Sequence, residues 1–180
     1  MKNIEVEVRS FITKKQYKSL LQKLREGAKF IGSINEETVY FSGPSKDLRL
    51  RRDDKNAFII LKEGRVHDDS REEIEIKFDR AEFKNIEELF KRLGYRDAIR
   101  WFRKRRIYKW DGVKLFLDDT KGYGMIIELE KFGKREQEKK VHKELENKLK
   151  FLGIKITPKQ EFNRKFEYYK KNWRKILKIN

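Results

Sequence analysis

Along residues 4–9 apolar and charged positions alternate, Ile4, Val6 and Val8 against Glu5, Glu7 and Arg9. Successive side chains of a strand point to opposite faces, so one face of this segment is charged and the other apolar. The alternation returns in Arg71-Glu72-Glu73-Ile74-Glu75 and in Ile127-Glu128-Leu129-Glu130. One such strand is an ordinary half-buried strand. Three of them put many carboxylates on one side of a sheet.

The remaining pattern predicts strands interrupted by helices. A first strand covers about residues 3–11. Thr13 with Gln16 fits a capping box, Tyr17, Leu20, Leu21 and Leu24 form a helical stripe, and Gly27 is a stop. A second strand runs over 30–41. Segments 48–52 and 57–62 form a hairpin, a polar loop fills 63–70, and a fifth strand spans 71–78. A short helix over 85–93 turns Ile86, Leu89, Phe90 and Leu93 inward. A long strand over about 98–110 returns through the Asp111-Gly112 turn as 113–117, a loop covers 118–124, and the last strand is 125–131. A charged helix spans 135–152. Thr157-Pro158 reads as an N-cap followed by proline at the first helical position, and the final helix lines up Phe162, Phe166, Tyr169, Trp173 and Ile176.

Hairpin connections mean antiparallel pairing. Strands charged on one face and apolar on the other are satisfied by closing the sheet with the charges inside and helices outside. The expected fold is α+β, an eight-stranded antiparallel β tunnel (a closed barrel) with helices packed around it. It forms one domain over residues 1–180, including C-terminal helices at about 134–180.

Composition narrows the partner. Of 180 residues 43% are charged, with a net charge of +17. That implies an anionic partner and resembles the Lys/Glu-rich usage of thermophile proteins. With no Cys there is no disulfide framework and no Cys nucleophile, and with two His a zinc site is disfavoured. Met1-Lys2-Asn3 leads straight into the first strand, leaving no room for a signal peptide, and no apolar run approaches the roughly 18 residues of a membrane span. A cytoplasmic protein without membrane contact is expected.

Glu5, Glu7, Glu73, Glu75, Asp118, Glu128 and Glu130 are the candidate inward carboxylates. Crowded carboxylates need cations, and Mg2+ or Mn2+ prefer oxygen ligands. Arg49 and Arg51 share a strand face, Lys62 ends the next strand, and Lys104 and Arg106 share a face of the long strand. Arg forks and Lys point charges suit phosphate oxygens. Acids and bases in one bore describe a site for a metal-bound polyphosphate. A duplex reader would show an exterior basic stripe instead, so nucleic acid is an unexpected partner.

In this order, Glu5-x-Glu7-x-Arg9, Leu48-Arg49-Leu50-Arg51, Ile60-Leu61-Lys62, Arg71-x-Glu73-x-Glu75, Lys104-x-Arg106, Leu117-Asp118 and Glu128-Leu129-Glu130 resemble the CYTH domain, the triphosphate tunnel metalloenzymes. That family includes class IV adenylyl cyclases, thiamine triphosphatases and inorganic triphosphatases. The resemblance implies metal at Glu5, Glu7, Glu128 and Glu130, helped by Asp118. It implies phosphates at Arg49, Arg51, Lys62, Lys104 and Arg106, with Glu73 and Glu75 orienting those cations or assisting the metal. The family motif usually ends in Lys where this chain has Arg9. Arg stays protonated, so Arg9 clamps phosphate but is no general base, and Lys62 becomes the candidate base. The implied function is a metal-dependent enzyme on ATP, thiamine triphosphate or tripolyphosphate, either a cyclase or a triphosphatase, as monomer or homodimer. The alternative is a non-catalytic polyphosphate or nucleic-acid binder.

Two other patterns have simpler readings. Arg103-Lys104-Arg105-Arg106 resembles a nuclear-localisation patch but lies inside a strand pattern. The final helix resembles a membrane-surface helix, yet its aromatic stripe suits packing on the sheet.

Overall fold

Eight antiparallel strands form one sheet in the computed structural model, which describes residues 3–43, 47–62 and 73–179. The elements are β1 (Asn3–Ile12), α1 (Lys14–Gly27), β2 (Lys29–Ser42), β3 (Leu48–Arg52), β4 (Ala57–Lys62), β5 (Glu73–Phe78), α2 (Phe83–Arg92), β6 (Arg96–Trp110), β7 (Val113–Thr120), β8 (Gly124–Lys134), α3 (Glu138–Phe151) and α4 (Lys159–Leu177). The expected loop at 63–70 with His67, and Arg71 and Glu72 of the fifth strand, lie outside the described residues.

The strand order is β1-β8-β7-β6-β2-β3-β4-β5, which leaves β1 and β5 as edges. Among the described residues these two do not pair. Among the described residues the sheet is thus not closed, and the expected eight-stranded antiparallel tunnel with helices outside is met roughly, as a curled sheet. The sheet is nonetheless strongly curled. Five strands lie between β1 and β4, which in a flat sheet would put them roughly 29 Å apart. Yet the charge of Lys62 on β4 acts on Glu5 and Glu7 of β1. The charged face is the inside of that curl.

Helices cover the outer, apolar face. Val6, Val8, Leu115, Leu117, Ile127 and Leu129 pack with Leu20 and Leu24 of α1 and with Val141, Leu145 and Leu149 of α3. Each such buried side chain contributes about 1.5–3 kcal/mol of transfer free energy. The helix α1 starts as the capping box requires. The Gln16 amide N–H donates to Thr13 Oγ1 (3.2 Å), and the Thr13 N–H donates to Gln16 Oε1 (2.8 Å). The helix α2 covers Val39, Phe41 and Leu50 with Phe83, Ile86 and Phe90. It is also tied down by charge, because Arg100 bridges Glu37 and Glu87.

The last helix is placed differently. Phe166, Tyr169 and Trp173 of α4 pack on Ile99, Tyr40 and Trp101, and Phe162 stacks on Phe11 (4.4 Å between centroids). All four sheet residues lie on the inner face, so α4 closes one end of the curl. Gly122 in the β7–β8 turn lets it approach, since a Cβ there would lie 2.1 Å from Ile176 Cγ2. Pro158, not Thr157, is the N-cap, and it makes no side-chain cap bond. Thr157 is drawn away by β1: its N–H donates to Ser10 Oγ (2.9 Å) and its Oγ1 accepts from the Phe11 N–H (3.0 Å). That latch carries the chain round the β1 edge.

Candidate active site

Residues directly opposed on antiparallel strands share a face, so register decides what lines the inside. On β1 and β8, Glu7 opposes Glu130 and Arg9 opposes Glu128. The two ends of the sequence thus meet in one acidic wall. Across β7 and β6, Glu130 opposes Lys114, Asp118 opposes Arg105 and Thr120 opposes Arg103. Arg103 opposes Glu36 on β2. Thr38 and Tyr40 oppose Arg51 and Arg49, and Lys62 and Ile60 oppose Glu73 and Glu75.

The same register turns Lys104 and Arg106 outward, against expectation. The charge of Arg106 acts on the Tyr17 hydroxyl of α1 on the outer side, and Lys104 is exposed. The physical reason is the period of two: displacement by one residue exchanges the whole set of side chains between faces. Arg103 and Arg105 take the inward positions.

Every inward arginine of β3 and β6 is braced by a carboxylate. Asp47 receives both Arg49 Nε (2.7 Å) and Nη2 (2.6 Å), while the Arg49 guanidinium lies 4.4 Å from the Tyr40 ring centroid. Arg51 donates to Glu75 (2.6 Å). Arg103 donates to Glu36 (2.5 Å) and Asp118 (3.1 Å). Arg105 donates to both oxygens of Asp118 (2.8 and 2.7 Å) and to Glu128 (3.1 Å). Burial pushes Asp118 and Glu36 up, but the guanidiniums outweigh it and hold both carboxyls below their ordinary values. Asp118 therefore lies between two arginines rather than among Glu5, Glu7 and Glu130. Arg9 lies 3.5 Å from Glu7 and 5.1 Å from the Phe162 ring centroid, clamped between acid and helix.

The acidic wall has the opposite imbalance. Burial, then Glu130, Glu7 and Glu128, push Glu5 up to about 7. Burial and Glu128 also raise Glu7, against Arg9, Lys62 and Arg105. Both groups resist ionising for want of positive charge. Among the described residues no three acids already converge as a coordination shell, since Glu128 and Glu130 hold Arg105 and Lys114 (3.1 Å each). As a donor set, however, four carboxylates under mutual repulsion match a hard divalent cation, which would relieve the strain that raises Glu5 and Glu7.

Glu36, Asp47, Arg103, Arg105 and Lys114 belong to this site; from sequence none of them was assigned to it, and Arg103 and Arg105 entered only as part of a basic run within a strand. The two-residue Asp111-Gly112 turn carries a signal for three of them. It pairs Trp110 with Val113, and counting outward gives Lys114, Asp118–Arg105 and Thr120–Arg103.

The sequence pattern of the CYTH domain matches residues 3–160. A curated relative from Methanocaldococcus jannaschii, named "Putative adenylate cyclase", is 35% identical over 84% of this chain and 90% of its own length. The chain is similar to a conserved hypothetical protein of Pyrococcus furiosus, with TM-score 0.69 and 27% identity, covering 84% of this chain and 91% of the other. A Hippeastrum protein described as a putative adenylyl cyclase with a dominant triphosphatase activity shares the fold. Its TM-score is 0.64 at 18% identity, over 91% and 95% of the two chains. With the family pattern spanning nearly the whole sheet, and a relative matching over most of both lengths, the chain belongs to the CYTH family.

Proposed function

We propose that this CYTH protein is a divalent-metal-dependent enzyme that cleaves a triphosphate on its inner face. One observation carries the reading: a carboxylate wall short of positive charge faces a wall of braced guanidiniums within a single curl. Glu5, Glu7, Glu128 and Glu130 are the residues to hold Mg2+ or Mn2+. Bound there, the cation would neutralise charge on the phosphate and leaving-group oxygens. Arg49, Arg51, Arg103, Arg105 and Lys62 bind the non-bridging oxygens, with Arg9 as a clamp at the end closed by α4. Asp118, Glu36, Asp47 and Glu75 keep those forks aimed, so little reorganisation is needed as charge develops. Arg stays protonated and is no base, so the proton of the attacking group can pass to Lys62, the register partner of Glu73, only where that lysine has first lost its own proton and stands as the neutral amine.

The attacking group decides the product. Water gives hydrolysis, and a ribose hydroxyl of ATP gives cyclic AMP and pyrophosphate. The name of the Methanocaldococcus relative supports testing ATP first, and the triphosphatase activity reported for the Hippeastrum protein supports tripolyphosphate and thiamine triphosphate beside it. Phosphate, pyrophosphate and cyclic nucleotide released with Mg2+ or Mn2+ are the quantities to measure. Turnover should vanish with chelator and fall at least about a hundredfold in Glu128→Gln. Tight triphosphate binding without turnover under either metal would leave a non-catalytic binder in its place.

A further inference from the structure

The outer face carries an exposed aromatic feature that the inner site does not use. Phe151 at the end of α3 is 81% exposed. Its ring lies nearly parallel to that of Trp110 at the end of β6, at 25° with 6.3 Å between centroids. The two rings wall a cleft of about 630 Å3, a size suited to one small organic group. Trp110 is on the outer parity of β6, so the cleft opens on the opposite side of the sheet from the carboxylates.

The charges around it are arranged unevenly. Asp111 is occupied by Lys148, and Glu144 is held by Lys131 (2.8 Å). Lys148 also sits 5.3 Å from the Trp110 ring centroid. With both acids of the cleft neutralised, Lys140 and Lys143 leave the rim positive. Lys143 also meets Glu146 at 3.3 Å, but an exposed pair of this kind holds its charges weakly. Asn147 lies between the rings and the lysines and offers both a donor and an acceptor.

We propose that this cleft binds single-stranded nucleic acid, one base stacking on the Phe151–Trp110 pair and the backbone following the lysines. An aliphatic side chain of a protein partner would fill an apolar cleft without requiring parallel rings. A flat base makes use of them, and every base has a stacking face. The cationic rim and the net charge of +17 suit a phosphate backbone. The sequence argument against nucleic acid concerned a duplex reader, with a basic stripe fitted to a groove. A single strand needs a stacking surface instead, and that surface forms only when the β6–β7 turn meets the end of α3. The inference is independent of the triphosphate reading.

The test is fluorescence anisotropy of a labelled oligouridine, and of a duplex of equal length, over a range of salt. Phe151→Ala should weaken oligouridine binding about tenfold with an unchanged salt slope, and Phe151→Tyr should restore it. Lys140→Glu with Lys143→Glu should instead flatten the salt dependence. The far-UV circular dichroism spectrum and melting temperature should be the same in all these variants, which shows each is folded. Equal affinity in Phe151→Ala, or a duplex bound as tightly as the single strand, would assign the binding to overall charge and overturn the proposal.

Discussion

The two walls of the inner face differ in how their charges are held. On β3 and β6 each inward guanidinium has a carboxylate partner at 2.5–2.8 Å, and its orientation is set before anything binds. On β1 and β8 the carboxylates crowd one another, and Glu5 and Glu7 are pushed toward protonation. One wall is rigid and ready for an anion. The other is strained and incomplete without a cation. Placed face to face, they predict an order of events: the cation relieves the acidic wall first, and the substrate then bridges both. Arg105 joins the two, because it holds Asp118 on its own wall and reaches Glu128 on the other. A cation at Glu128 would compete with that reach and leave the fork free for phosphate.

The comparison breaks most severely at Asp118, which is 1% exposed and holds two arginines. Removing its charge leaves both guanidiniums buried and undercompensated. Asp118→Asn should lose about 3 kcal/mol of stability, since opening a buried ion pair from one side costs about 3–5 kcal/mol. The denaturant midpoint measures it. A loss below about 0.5 kcal/mol, as at an ordinary surface site, would mean the braced wall is not braced.

Substitutions on β6 sharpen the picture at slightly smaller energy. Arg105→Ala should lower kcat/KM about a hundredfold, the scale of losing one preorganised charge-stabilising donor, while Lys104→Ala should stay within about twofold. Steady-state kinetics on whichever triphosphate is turned over distinguishes the two. Equal losses at both positions would contradict the register that places them on opposite faces.

That pair also marks where the sequence stopped being legible. The alternation in β1 and β8, the capped helix α1 and the hairpin at Asp111-Gly112 could all be read, because each depends on near neighbours in the chain. The inward set of β6 could have been read too, by counting from the turn, but the Lys104-x-Arg106 spacing fitted the family motif equally well one residue out of step. Other features had no local signal. Glu36 lies in the polar half of β2, and its role depends on Arg103, which is 67 positions away. Thr157 looked like a helix cap and instead hydrogen-bonds the β1 strand through Ser10 and Phe11, nearly 150 positions earlier. Whether the edges of the sheet join is likewise a matter of its summed curvature, which no single strand encodes.

The acidic wall yields the subtlest test, through pH. Glu5 titrates near its ordinary 4.5 in the unfolded chain and about 7 in the folded one. Below 4.5 the group is protonated in both states. As pH rises from there through 7, the unfolded state releases its proton first, so the fold loses stability across that window and the loss is complete above it. Over the whole shift this would exceed about 3 kcal/mol, but the Glu5 side chain, though crowded by other carboxylates and partly desolvated, still keeps contact with solvent, so about 1 kcal/mol is expected after screening. In metal-free protein, Glu5→Gln should therefore raise the melting temperature at pH 8 and leave it nearly unchanged at pH 4. Mg2+ or Mn2+ should stabilise the unsubstituted protein more than the variant, because the ion removes the same repulsion that the substitution removes. If Glu5→Gln instead destabilises the metal-free protein at pH 8, the carboxylates of β1 and β8 are not repelling one another, and the contrast between a strained wall and a braced one is lost.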